Sequence, residues 1–160
     1  MRVGIVTVSS SRAATTGSTD ESGDHLERFA QSIGGEIVSR EVIADDLGAI
    51  TTRLRHLSDV AGCALVLTSG GTGVAPRDLT PEATRAVIER EVPGIAEAMR
   101  DASRAHTKHW LLGRGTAGIR GSTLIVNFPG NPRAIEQSAG AIADALPHAL
   151  ALIADQPSEH

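Results

Sequence analysis

A chain of 160 residues with 41% hydrophobic and 21% charged side chains has the balance of a compact α/β domain, which excludes a disordered segment. A net charge of −4 and only three aromatics, Phe29, Trp110 and Phe128, argue against a broad nucleic-acid surface, which needs basic stripes and stacking platforms. Cys63 is the only cysteine, so no internal disulfide or cysteine-based metal cluster can form within one chain.

The β-branched run at residues 2–9 predicts a first strand buried on both faces. Its apolar stretch is too short for a signal-peptide core, and no later stretch approaches about 20 uninterrupted apolar residues, so a cytoplasmic protein with no membrane span is expected. A polar segment leads to Gly23, after which Leu26, Phe29, Ala30 and Ile33 recur at helical spacing until Gly34 and Gly35. Residues 36–44 predict a second strand. Leu47, Ile50, Leu54 and Leu57 then form a helical stripe that Asp45 or Asp46 caps, with Asp46 the preferred cap, and residues 63–68 predict a third, buried strand.

Beyond a glycine-rich turn, Thr80 and Pro81 predict a helix start, with the threonine at the N-cap and the proline in the first helical position. Another helix is expected from Pro93. Residues 116–119 and 122–127 flank Arg120 and Gly121 and predict an antiparallel hairpin beside the parallel strands. Ile135, Ala139, Ile142, Leu146, Leu150 and Ile153 trace the final helix, which Pro147 must kink or divide, ahead of a frayed tail at residues 156–160. There is no internal repeat of 20 to 50 residues. The expectation is one three-layer α/β/α domain over residues 1–155, with a mostly parallel sheet and ligands outside the carboxyl ends of its strands.

The strongest local signal is Thr68-Ser69-Gly70-Gly71-Thr72-Gly73, directly after a buried strand, where glycines let backbone approach a ligand and successive N–H groups can cradle an anion. No Gly-Lys-Ser/Thr follows and the only lysine is Lys108, which excludes a Walker A loop. Asp78 places a carboxylate at the next loop-to-helix junction. Helix capping is the plainer role for it, but Thr80 already supplies a cap. Asp45 occupies the equivalent end of the second strand, so Asp45 and Asp78 can converge above one sheet edge and share a hydrated Mg²⁺. Pro129-Gly130-Asn131-Pro132 forms a rigid turn after another strand and a further wall of the same crevice. The six histidines show no HxH or HExxH spacing, which leaves a catalytic zinc unsupported, and Cys63 reads as a small core residue.

TSGGTG at 68–73, RDLTPEAT at 77–84, VPGIAEAMR at 92–100 and GSTLIVNFPGNP at 121–132 together resemble the MogA/MoaB family of molybdenum-cofactor biosynthesis. The resemblance runs from the VTVSSSR opening through DESG at 20–23 to the last helix. It implies a molybdopterin adenylyltransferase that binds molybdopterin and takes AMP from ATP-Mg²⁺, releasing pyrophosphate. It also implies a homotrimer or hexamer in contact with other cofactor-assembly proteins. Asp45 and Asp78 then match the two acidic residues important for activity, as ligands of Mg²⁺ or its waters. Residues 68–73 match the cofactor- and nucleotide-binding loop, and residues 129–132 the proline-glycine turn. Departures are Asn131 where serine is common, Gly113 where serine often precedes the arginine, and SSSR in place of SDR. A catalytically inactive paralogue, an oligomeric scaffold, and the related domain of molybdate-insertion proteins and competence-damage-type hydrolases are the alternatives, the last carrying additional domains.

Overall fold

The computed structural model describes residues 1–155; the expected fraying of residues 156–160 lies outside them. Six strands form one sheet: β1 (Arg2–Val8), β2 (Glu36–Ile43), β3 (Leu65–Ser69), β4 (Arg90–Glu91), β5 (Ala117–Arg120) and β6 (Thr123–Phe128). Their spatial order is β2-β1-β3-β6-β5-β4. β1 pairs in parallel with β2 and β3, and β3 in parallel with β6, while β5 runs antiparallel to both β6 and β4. The predicted hairpin is β5–β6. The two-residue edge strand β4, too short for any periodicity to register, was not expected.

The helices are α1 (Ser10–Ala13), α2 (Glu21–Ser32), α3 (Leu47–Asp59), α4 (Thr80–Arg85), α5 (Pro93–Arg104), α6 (Pro132–Ile142) and α7 (Leu146–Ile153), with a 3₁₀ turn at Lys108–Leu112. Alternation along β1 and β3 sends Val3, Ile5, Leu65 and Leu67 to a core shared with Leu26, Phe29, Met99, Ile135 and Leu146. Val6, Val8 and Val66 face the other way, onto Ile50, Leu54 and Leu57 of α3 and Ala83 beside them. Strands buried on both faces need apolar residues at every position, which explains the unbroken β-branched runs. The layers are therefore α/β/α, with α2, α5, α6 and α7 on one face and α3 and α4 on the other.

Two caps differ from the sequence reading. α2 begins earlier than Gly23, because Asp20 accepts the Gly23 N–H at 3.0 Å. Thr80 is not an N-cap: Leu79 holds that position without a side-chain bond, and Pro81 falls one place further in. Thr80 is fully buried, so its hydroxyl must find a partner, and it donates to the Gly70 carbonyl at 2.9 Å. Asp46 does cap α3, accepting the Ala49 N–H at 2.8 Å. The last helix is divided by the turn between α6 and α7, and Pro147 sits in the first turn of α7, where its missing N–H has no intrahelical partner to lose.

Candidate functional site

The chain leaves β1 toward β2 and returns on its other side as β3, so a crevice opens where the connections diverge, above the carboxyl ends. Register places Thr7 beside Ser69 and Ser69 beside Phe128, so the loops after β1, β3 and β6 start side by side. The glycine loop after β3 is shaped by close approach. Gly70 and Gly71 have φ of 89° and 63°. A Cβ on Gly70 would stand 2.3 Å from the Val8 carbonyl oxygen, and one on Gly71 would stand 2.4 Å from the Thr80 hydroxyl. On Gly130 it would meet the Gly70 Cα at 3.3 Å, so the proline turn packs backbone to backbone on the loop. The Ser22 hydroxyl donates to the Gly130 carbonyl at 2.8 Å, which gives the DESG segment a structural purpose.

Gly70 N–H is taken by the Phe128 carbonyl at 3.3 Å. The next four amides, of Gly71, Thr72, Gly73 and Val74, have no acceptor among the described residues. Consecutive unengaged N–H groups beside positive-φ residues are the elements of an anion-binding concavity. Thr68 and Ser69 behave differently. Both are fully buried at the end of β3; the Thr68 hydroxyl accepts from Asn127 Nδ2 at 3.1 Å, and the Ser69 hydroxyl has no hydrogen-bond partner among the described residues. Their side chains are buried in the layers of the fold, whereas Gly71 to Val74 carry the unengaged amides.

Asp78 closes the segment that follows. One carboxylate oxygen accepts the Ala75 N–H at 2.8 Å while the Asp78 N–H returns to the Ala75 carbonyl at 2.9 Å. A Cβ on Gly73 would lie 2.8 Å from that same oxygen, so the carboxylate rests on the glycine loop itself. Asp45 is engaged elsewhere: one of its oxygens accepts both the amide and the hydroxyl of Ser10, at 2.7 and 2.8 Å, and its own amide donates back to that hydroxyl at 2.9 Å. Asp45 follows β2 directly and Asp78 ends the longer loop after β3, the strands on either side of β1. Each retains one carboxylate oxygen without a partner among the described residues. No group of three or more His, Cys, Asp or Glu that could hold a metal ion is found among the described residues.

Beside Thr72 and Pro129 lies a half-open cavity of about 150 Å³, walled by Met99 of α5, Trp110 of the 3₁₀ turn, and Asn127. Sequence reasoning did not find this wall, because no local pattern links α5 and the 3₁₀ turn to β6. Two residues behind it were also missed. Asn127 accepts the Thr116 N–H at 3.2 Å and donates to the Thr68 and Thr84 hydroxyls, joining the residue before β5 to β3 and α4. A carboxamide within the apolar run TLIVNF was the available signal. Arg114, flanked by Gly113 and Gly115, forms a bidentate pair with Glu82 through Nη1 and Nη2. That bond, above all, holds the Glu82 carboxyl below its ordinary range and the Arg114 guanidinium above its own.

Comparison with known proteins agrees with the geometry. Residues 4–148 match the family described as "Probable molybdopterin binding domain". The chain is 42% identical over 113 residues to a molybdopterin adenylyltransferase of Helicobacter pylori, covering 71% of this chain and 64% of that one. It is 38% identical over 140 residues to the molybdenum cofactor synthesis protein cinnamon of Drosophila melanogaster, covering 87% of this chain but 23% of that protein. The chain thus spans less than two thirds of the length of these relatives. Among solved structures, the molybdopterin biosynthesis enzyme MoaB of Thermus thermophilus superposes with a TM-score of 0.89 at 42% identity, over 99% of both chains.

Proposed function

The chain belongs to the molybdopterin-binding domain family of molybdenum-cofactor biosynthesis, and from that premise we propose that residues 1–155 act as one unit that binds molybdopterin and adenylylates it from ATP-Mg²⁺. The observation that carries this reading is the row of four unengaged amides from Gly71 to Val74, next to a cavity that combines apolar Met99 and Trp110 with polar Arg100 and Asn127. The first suits phosphate oxygens, and the second suits a flat heterocycle.

In the reaction, an oxygen of the terminal phosphate of molybdopterin attacks the α-phosphorus of ATP. A new P–O bond forms, the bond to the β-phosphate oxygen breaks, and pyrophosphate leaves. The nucleophile is already anionic, so no strong general base is required, and the chain's task is alignment and charge neutralisation. The amides of the glycine loop hold phosphate oxygens through fixed dipoles. The free carboxylate oxygens of Asp78 and Asp45 fit Mg²⁺, which is commonly bound through one or two carboxylates plus substrate phosphates rather than by an all-protein cage. Bound with the nucleotide, Mg²⁺ supplies positive charge to the departing pyrophosphate. Adjacent, exposed Leu111 and Leu112 offer an apolar surface for the proposed homo-oligomer, trimeric or hexameric. Among the described residues, no helix is long and apolar enough to cross a membrane.

Pyrophosphate release from protein, molybdopterin and ATP-Mg²⁺ tests the reading, with Asp78→Asn as control. The expected result is protein-dependent release that falls ~10²-fold or more in the variant. Absence of release from the parent refutes adenylyl transfer. Calorimetry then separates a ligand-binding paralogue, which gives heat with molybdopterin, from a scaffold, which gives none with either ligand.

A further inference from the structure

We propose that Arg114 is a positioning residue for adenylyl transfer, fixing the glycine loop and the Asp78 turn relative to one another. This rests on the function proposed above. From a single side chain, Nε donates to the Gly73 carbonyl at 2.6 Å, Nη2 donates to the Asp78 carbonyl at 2.7 Å, and both terminal nitrogens bind Glu82 at the start of α4. The Arg114 amide adds a fourth tie, to the Thr72 carbonyl at 2.8 Å. These bonds bracket Val74, Ala75, Pro76 and Arg77, all exposed and without core packing of their own.

Without the guanidinium, the stretch between the free amides and the Asp78 carboxylate would be held by little more than the reciprocal Ala75–Asp78 pair. The same arginine sits between Gly113 and Gly115, which line the cavity, so its bonds tie the loop and the Asp78 turn to the segment beside that cavity. Its donors are directed into the protein, so it acts through Asp78 and the loop rather than on substrate. The planar fork is the reason for arginine here: an ammonium's three donors radiate from one nitrogen, so it cannot span acceptors set around three separate nitrogens or bind the carboxylate in bidentate fashion. The Glu82 side chain is 41% exposed, so water screens the ion pair and its contribution to global stability is small. A misplacement of about 1 Å at a reacting group, in contrast, can cost ~10²-fold in rate.

The test uses Arg114→Lys and Arg114→Ala in the full chain, with steady-state pyrophosphate release, thermal melting and amide hydrogen exchange. Melting temperatures should stay close to the parent's while kcat falls ~10²-fold and KM for ATP changes much less. Methylguanidine should restore part of the Arg114→Ala rate. Exchange at Ala75 should accelerate in both variants while β3 amides stay protected. Parental kcat with parental exchange in Arg114→Lys overturns the proposal, as does a loss of rate that follows melting temperature and shows no methylguanidine rescue. If the parent itself releases no pyrophosphate, adenylyl transfer has failed separately. Unchanged exchange at Ala75 in Arg114→Lys would then overturn the positioning role on its own, and faster exchange there with β3 still protected would uphold it.

Discussion

Replacing Gly70 by alanine should destabilise the protein more than any other one-carbon change in the crevice, for two separable reasons. At φ 89° an L-residue sits in the left-handed region, at roughly 1–2 kcal/mol. The new Cβ would also stand 2.3 Å from the Val8 carbonyl oxygen, about 1 Å inside the ~3.3–3.6 Å at which carbon and carbonyl oxygen come into contact. Val8 ends the doubly paired strand β1, so that oxygen can move only by disturbing the sheet, and overpacking of this kind adds roughly 1–3 kcal/mol. A total near 3 kcal/mol corresponds to a fall in melting temperature of about 6–12 °C for a chain of this size. Differential scanning calorimetry measures it, with Gly140→Ala as the counterpart. Gly140 lies inside α6, and a Cβ there would meet nothing within 4 Å, so alanine should raise stability by roughly 0.5–1 kcal/mol. A Gly70→Ala protein that melts within ~2 °C of the parent would refute the close-approach account of the loop.

Acidification should weaken the fold by a small increment through Glu82, whose exposure screens the pair. Its bond to Arg114 depresses the folded-state carboxyl below the ordinary 4.5, so its contribution is complete above about pH 4.5 and is lost as pH falls through the lower folded value. Asp59, bonded to Arg120, behaves likewise below its ordinary 3.8. Urea midpoints between pH 3 and 5 should fall less steeply in Glu82→Gln, and an unchanged slope would contradict the assignment. Cys63 is 1% exposed and burial raises its thiol pKa, so a disulfide reagent at pH 8 should label it only on unfolding; rapid labelling of the native protein would show otherwise. Asp46→Ala should cost about 1 kcal/mol by uncapping α3, measured by thermal melting, with pyrophosphate release unchanged. EDTA should stop that release while leaving the melting temperature of the free protein where it was, because in the proposed reaction Mg²⁺ arrives with the nucleotide phosphates.

Local patterns made much of the molecule legible. β-branched runs identified β1 and β3, helical stripes identified α2 and α3, and the glycine and proline turns were identified with the loops that meet above the sheet. Where a residue's role depends on a partner distant in sequence, the reading fell short. Thr80 has the chemistry of an N-cap, yet burial turned its hydroxyl to the Gly70 carbonyl. Thr68 and Ser69 belong to the glycine-rich string, yet they end a strand covered on both faces, so both side chains are buried. The short elements α1 and β4 carry too few residues for any period to register.

Asp45 and Asp78 mark the limit most clearly. Their position at strand ends follows from sequence, since a strand, a turn and a helix start are local events. What each carboxylate binds divides between the two levels: Asp78 closes a local turn on the Ala75 amide three residues back, but only the fold brought Ser10, 35 residues away, to Asp45. The same holds for Arg114, whose partners lie 32 to 41 residues back along the chain. Sequence by itself determined the layers, the crevice edge and the family, because periodicity, turn chemistry and ordered motifs are written along the chain. Tertiary structure alone decided which amides stay free, which hydroxyls are consumed and what braces the loop, because each depends on groups that only packing brings within hydrogen-bond reach.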